Sequence, residues 1–364
     1  MSEELPSYTE AETKAALLAA GCSGTIYSLV MPESEDALTH CTAGDREAFL
    51  DMYREAWTQK QDAMHLGYFD RWIDWSRPVL ALDSDAFPFR YPTAGASEGI
   101  FKLMSEYAAE CRANGIAPSI HMFEGEYEGF PAFAAALRLP IVRHPRSEWR
   151  RVAEEGIPAS AQFWISQPSA IDGTVWPHFE AFAAALAEAQ PTAELVPDLT
   201  YVGSVARDYR IGLVAPNIQS IVFSHSKPFG GYYHRVGGVI ARRERPSLFG
   251  NRWFKNLLSL AWGTEMMRRH DVHALPRRYR AAQEEAARRC GSALGVELAA
   301  ADVSLLATAP WQNGLPPLLQ SVGRGCEEER VVRLCVTAAM AVLTDPSMAP
   351  ATAPSLRARW GEAG

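Results

Sequence analysis

The sequence predicts an α/β fold: a parallel or mostly parallel sheet between helices, with a smaller α+β unit towards the C-terminal end. Three observations predict it. From about residue 91 to 243, short apolar runs alternate with amphipathic stretches of helical length, the pattern of strands joined by crossover helices. Beyond 246 the chain turns helical, with one stretch at 252–270 and an Arg/Glu/Ala-rich one at 276–292. The composition, 48% apolar and 21% charged over 364 residues, is that of a globular chain long enough for one large unit and a smaller one.

Taken in order, residues 1–55 read as mixed helix and loop, and 56–90 carry a high density of Trp, Tyr and Phe. Ser97 to Asn114 is a helix, because Ile100, Leu103, Met104, Tyr107, Ala108 and Cys111 fall on one face and Gly115 is a natural stop. Ser119–Phe123 then reads as a strand, 131–137 as an Ala-rich helix, Ile141-Val142 as a strand, with a further helix from Ser147. Gln162–Ser166 is a strand and Trp176–Ala189 a helix with Phe179, Phe182, Ala183 and Leu186 inward; strand-like runs follow at 193–196, 218–223 and 236–241. After the two helical stretches, 303–308 reads as a strand and 330–343 as strand then helix. Asp345–Ser355 is Pro/Ala-rich and reads as a loose tail. There is no internal repeat.

The formal charge of −8 argues against a nucleic-acid or anionic-membrane partner. The six cysteines (22, 41, 111, 290, 326 and 335) show no metal-type spacing, so reduced thiols in a cytoplasmic protein without a metal site are expected. The acidic N-terminus lacks a signal-peptide core, and no run approaches the roughly 20 apolar residues of a membrane span.

The strongest chemical signal runs from Ser224 to Gly238. The apolar run Ile218–Phe223 leads into small hydroxyl residues, then Lys227, then a Gly-rich turn and Arg235 entering another strand. An imine-forming lysine needs a rigid element beneath it and surroundings that keep it partly unprotonated. Ser224, Ser226 and Arg235 are donors for a phosphate. A surface hairpin with an exposed lysine is the alternative, but only five lysines occur in the chain and this one follows Ile221-Val222-Phe223 directly.

Here the sequence resembles the class I/II aminotransferases, the aspartate-aminotransferase-like enzymes of pyridoxal 5′-phosphate (PLP) fold type I. In that family a serine three residues before the lysine and an arginine eight residues after it bind the cofactor phosphate. Ser224, Lys227 and Arg235 match that spacing within a K-x-F-G-x-Y-x-x-R-V-G wording. The resemblance implies a Schiff base on Lys227, a mostly parallel seven-stranded-type sheet, and a homodimer with its active sites at the interface. It implies three segments: 1–55 as an N-terminal arm or part of the small domain, 56–270 as the large PLP-binding domain and 271–364 as the small domain.

Other motifs follow the family in order over roughly 91–340. Pro197-Asp198-Leu199-Thr200-Tyr201 matches its D-x-x-Y, implying that Asp198 pairs with the protonated pyridine nitrogen and Tyr201 hydrogen-bonds the cofactor 3′-oxygen. Gly95-Ala96-Ser97 resembles the phosphate cup at a helix N-terminus, where backbone N–H groups and the dipole favour an anion; Ser97 also reads as a plain N-cap. Tyr127 in Glu126-Tyr127-Glu128-Gly129-Phe130 is the candidate ring-stacking aromatic, with Phe130 the core-packing alternative. Arg333 matches the arginine that forks onto the substrate α-carboxylate, with Arg330 as the alternative.

One motif departs. Where the family reads N-P-x-N-P-T-G, this chain has Gln167-Pro168-Ser169-Ala170-Ile171-Asp172-Gly173, so Ala170 replaces an asparagine that hydrogen-bonds the cofactor; Gln167 and Ser169 are the candidates to substitute. The first 90 residues match nothing in detail, although an N-terminal segment often reaches the active site in this family. The aromatic stretch with Tyr68, Trp72 and Trp75 is read either as core or as pocket lining.

The expected function is PLP chemistry on an α-amino acid, transamination first. Elimination, replacement or cyclisation on a substrate with a leaving group, such as S-adenosylmethionine, stands beside it. A clamped carboxylate on Arg333 argues against decarboxylation. A non-enzymatic binding domain is disfavoured by the full set of Lys227, Asp198, Tyr201 and Arg235.

Overall fold

The computed structural model describes residues 8–58 and 64–345. Among the described residues nine strands precede residue 242: β1 (Leu80–Ala81), β2 (Phe89–Thr93), β3 (Ile120–Phe123), β4 (Ile141–His144), β5 (Gln162–Ser166), β6 (Glu194–Asp198), β7 (Ile211–Gly212), β8 (Ser220–Ser224) and β9 (Gly237–Ala241). Seven of them form one sheet in the order β2-β9-β8-β6-β5-β3-β4, and β1 and β7 make a separate parallel pair. In the large sheet only β9 runs against its neighbours. The other six therefore end on the same edge, the edge where ligands bind in open α/β sheets.

The strands read as near-continuous apolar runs because both faces of the sheet are covered: every residue of β3, β5, β8 and β9 is buried. On one face, helix Ala96–Ala113 comes close through Gly99, where a Cβ would meet Val239 at 2.8 Å and Val222 at 3.3 Å. On the other, helix Leu66–Ser76 lays Trp72 flat on Phe223, ring centroids 4.0 Å apart, with Phe69 edge-on at 5.7 Å. Tyr68, Trp72 and Trp75 are thus core residues beneath β8, as the core reading expects, and none of them lines the cavity at Lys227 described below.

The second sheet is antiparallel, β10 (Ala299–Ala300), β11 (Leu306–Pro310), β12 (Gly323–Arg324) and β13 (Val331–Cys335), in the order β10-β11-β13-β12. Ser23 exchanges two backbone hydrogen bonds with Cys335, at 2.9 and 2.8 Å, so the N-terminal segment is tied to β13.

Several boundaries differ from the sequence reading. β2 was not anticipated; it carries Pro92, which an edge strand tolerates, and β2 is the sheet edge. The helix expected at 252–270 begins at Leu257, where the Asn256 side chain caps it by accepting the Ser259 N–H at 3.1 Å. β10 and β12 are two residues each, too short to leave a periodicity. The expected tail lies, beyond Asp345, outside the described residues. Among the described residues no helix is long and apolar enough to cross a membrane.

Candidate active site

At the shared strand ends lies a cavity of about 230 Å³. β8 delivers Ser224, Ser226 and Lys227 to it, β6 delivers Asp198, Thr200 and Tyr201, and β5 delivers Ser166. The N-terminus of helix Ala96–Ala113 contributes Ala96 and Ser97, and the loop after β3 contributes Tyr127 and Glu128.

Lys227 is held by a long-range contact. Its Nζ donates to the Ile26 carbonyl at 2.7 Å, and the Ser28 hydroxyl donates to the Ser226 carbonyl, so the segment around Thr25–Ser28 straps the lysine down. Burial, with help from Arg235 and Arg333, lowers the lysine to about 8. An amine at that value exchanges its proton near neutral pH.

Asp198 sits opposite in a buried position, and burial raises its carboxyl to about 6 against two stabilising hydrogen bonds from Thr200, N–H at 3.0 Å and hydroxyl at 2.5 Å. Both go to Oδ1; Oδ2 accepts none among the described residues. Tyr201 is buried, and burial pushes its phenol up. Tyr127 packs over Gly129, where a Cβ would meet the ring at 2.2 Å, and its hydroxyl lies 3.5 Å from Ser97 Oγ. Phe130 is fully buried in the core, so of these two rings it is Tyr127 that lines the cavity.

Three separate segments converge on one corner of the cavity, where Gly95, Ser224, Ser226 and Arg235 meet. Gly95, at φ +85°, ends the loop before the helix, and a Cβ there would lie 2.9 Å from Arg235 Nη2 and 3.4 Å from Ser224 Oγ. Arg235 itself has a left-handed backbone, φ 50°, donates to the Ala94 carbonyl at 2.7 Å and lies 5.3 Å from the Tyr232 ring centroid. Ser224 and Ser226 hydroxyls are 2.9 Å apart.

Arg333 stands one layer back from the cavity wall. It is buried, donates from Nη1 to the Ala170 carbonyl and from Nη2 to the Gly24 carbonyl at 3.1 Å, and its Nε has no partner. Arg330 lies outside, 4.9 Å from the Trp311 ring centroid.

Neither candidate for the missing asparagine reaches the cavity, which corrects that expectation. The Gln167 amide is spent on both backbone groups of Trp176, at 3.0 and 3.2 Å, and Ser169 Oγ accepts from Arg146 and from the Ile171 N–H. The hydroxyl that faces the cavity beside Ala170 is Ser166, which donates to Glu126 at 2.5 Å and accepts the Ala170 N–H at 2.7 Å. Burial raises Glu126 to about 7, opposed by its bonds from Ser166. Sequence reasoning also missed Thr25, Ile26 and Glu128; the strap leaves no local signal, because its partner is some 200 residues away.

Solved structures with this arrangement of strands and helices cover nearly the whole chain. An aspartate aminotransferase double mutant from Thermus thermophilus superposes with a TM-score of 0.62 at 14% identity, covering 92% of this chain and 94% of that one. The chain has the aspartate aminotransferase fold. The Escherichia coli protein YbdL, described as having a methionine aminotransferase function, matches at a TM-score of 0.59 and 15% identity over 94% and 98% of the two chains. A PLP-bound C–S lyase from Staphylococcus hominis matches at 0.58 and 14%, over 76% and 79%. No protein-family model matches the sequence, and no curated protein is significantly similar to it.

Proposed function

We propose that this chain is a PLP-dependent enzyme acting on an α-amino acid, with amino-group transfer as its first reaction. The observation that carries the reading is the meeting in one cavity of a proton-exchanging lysine, an acid and an anion corner built from three segments. The residues fit the cofactor. Gly95, Ala96, Ser97, Ser224, Ser226 and Arg235 would hold the phosphate, where the missing Cβ of Gly95 leaves room beside Arg235 and Ser224. Asp198 would hold the ring-nitrogen proton through Oδ2, Tyr201 the 3′-oxygen, and Tyr127 would cover the ring.

Bound PLP supplies an electron-withdrawing ring that stabilises negative charge at a substrate's α-carbon. This chain's residues do the rest. Lys227, lowered to about 8, takes a proton and returns it. Asp198 stays ionised beside a cation and so keeps that proton in place. Arg333, with an unpartnered Nε, is the cation for the α-carboxylate.

A second reading, elimination, replacement or cyclisation on a side chain with a leaving group, is supported by the Ser166–Glu126 pair beside Ala170, where the aminotransferase wording has an asparagine. A homodimer is also proposed, supported by exposed aromatics beside Arg235, Tyr232 and Phe254, with Tyr233 next to them in the chain. The three-segment domain division stands as a proposal too, with the Ser23–Cys335 pairing favouring an N-terminal segment that belongs to the small unit.

The test is a visible spectrum of the PLP-loaded protein before and after adding a panel of amino acids. Loss of the aldehyde-form band with release of a keto acid supports amino-group transfer. Persistence of that band while a side-chain leaving group is released would replace it with the second reading.

A further inference from the structure

Glu128 lines both the cavity at Lys227 and a second, larger one of about 650 Å³ beside it. Helix Glu10–Ala19, the loop Glu124–Glu128 and β12 wall the second cavity. Loop and strand are pressed together: a Cβ on Gly125 would lie 2.3 Å from the Gly325 backbone nitrogen. That contact sets Glu128 opposite Arg324, with which it forms an ion pair, and places its Oε1 3.9 Å from Arg333 Nη2.

The two partners are unequal. The Arg324 side chain is only 19% exposed, and Glu128 is its carboxylate partner among the described residues; the Glu128 side chain is 56% exposed. A buried guanidinium without a counter-ion is costly, so Glu128 supplies one from within the chain. Arg324 and Arg333 thus share the Glu128 carboxylate: Arg324 is paired with it directly, and Arg333, at 3.9 Å, stays available for one α-carboxylate.

We propose that Glu128 is a specificity-determining residue: by neutralising Arg324 it restricts the site to α-amino acids whose side chains carry no second anionic group. A side-chain carboxylate arriving along this wall meets Glu128 rather than a free guanidinium, and like charges in contact discriminate strongly against the wrong ligand. The proposal rests on the cofactor reading above.

Its test uses valerate and glutarate, unreactive chains of equal length that differ by a terminal carboxylate. Binding to PLP-loaded protein is measured by calorimetry. The wild type is expected to bind valerate at least about tenfold more tightly than glutarate, and Glu128→Gln to tighten glutarate about tenfold while valerate stays within about threefold. Adding Arg324→Gln to that variant should remove the gain, and Glu128→Asp should keep the wild-type preference. Glutarate binding as tightly as valerate to the wild type, or Glu128→Gln shifting both ligands alike or neither, overturns the proposal. The absorbance of lysine-bound PLP is read in the same samples. Full absorbance with the wrong preference counts against Glu128 alone, whereas no absorbance in the wild type overturns the cofactor reading and this assignment with it.

Discussion

The two walls of the cavity are built differently. The wall with Lys227, Asp198, Ser224 and Arg235 hangs from the ends of β6 and β8 and the start of β9, which pair with one another in the rigid centre of the sheet. The opposite wall, with Thr25, Ile26, Glu128 and Ala170 in front and Glu126, Arg324 and Arg333 behind, is assembled from an N-terminal strap, two loops and the second sheet. The first wall would grip a cofactor common to many reactions. The second would decide what is done with it, and it is here that the chain departs from the aminotransferase wording.

The largest expected effect breaks the first wall. Lys227→Ala should abolish the lysine-imine absorbance of bound PLP completely while far-UV circular dichroism is unchanged, since Lys227 makes one long-range hydrogen bond and is not part of the core. Next, Arg333→Lys tests the second wall alone: valerate binding should weaken about 100-fold, because an ammonium cannot fork onto a carboxylate, with cofactor absorbance retained. Comparable loss of both would erase the distinction between the walls.

Glu126 sharpens the comparison through pH. Burial raises its carboxyl from 4.5 to about 7, so the folded protein keeps a proton that the unfolded chain has lost across that interval. The stabilisation is complete below pH 4.5 and is lost as pH rises through 7. In cofactor-free protein, urea titrations should show Glu126→Gln gaining about 3 kcal/mol relative to wild type between pH 4.5 and 7.5. A pH-independent difference would contradict it. The smallest effect is at Gly95→Ala, where a positive φ and the 2.9 Å approach to Arg235 should weaken PLP affinity about tenfold without altering the valerate–glutarate preference.

What the sequence disclosed follows the same division. Ser224, Lys227, Arg235, Asp198 and Tyr201 were legible because each lies beside an apolar run that is a buried strand, and strand ends fix where neighbouring residues go. The fold was legible for the same reason at β3, β4, β5, β6, β8 and β9, whereas β7, two residues long, left no pattern. The strap at Ile26 and the Glu128–Arg324 pair were not, because contacts across about 200 residues leave no local periodicity. Gln167 and Ser169 misled because the sequence showed polar side chains in the right loop but not that both were already committed to Trp176 and Arg146. The aromatic run at 68–75 left core and pocket lining both open from the sequence; its rings pack on Phe223 and the sheet, as the core reading expects.

The most direct measurement of the central claim is borohydride reduction of the PLP-loaded protein followed by peptide mass mapping. One reduced cofactor on the peptide carrying Lys227, and on no peptide carrying Lys14, Lys60, Lys102 or Lys255, is the result expected. Label on another lysine, or none, would contradict it.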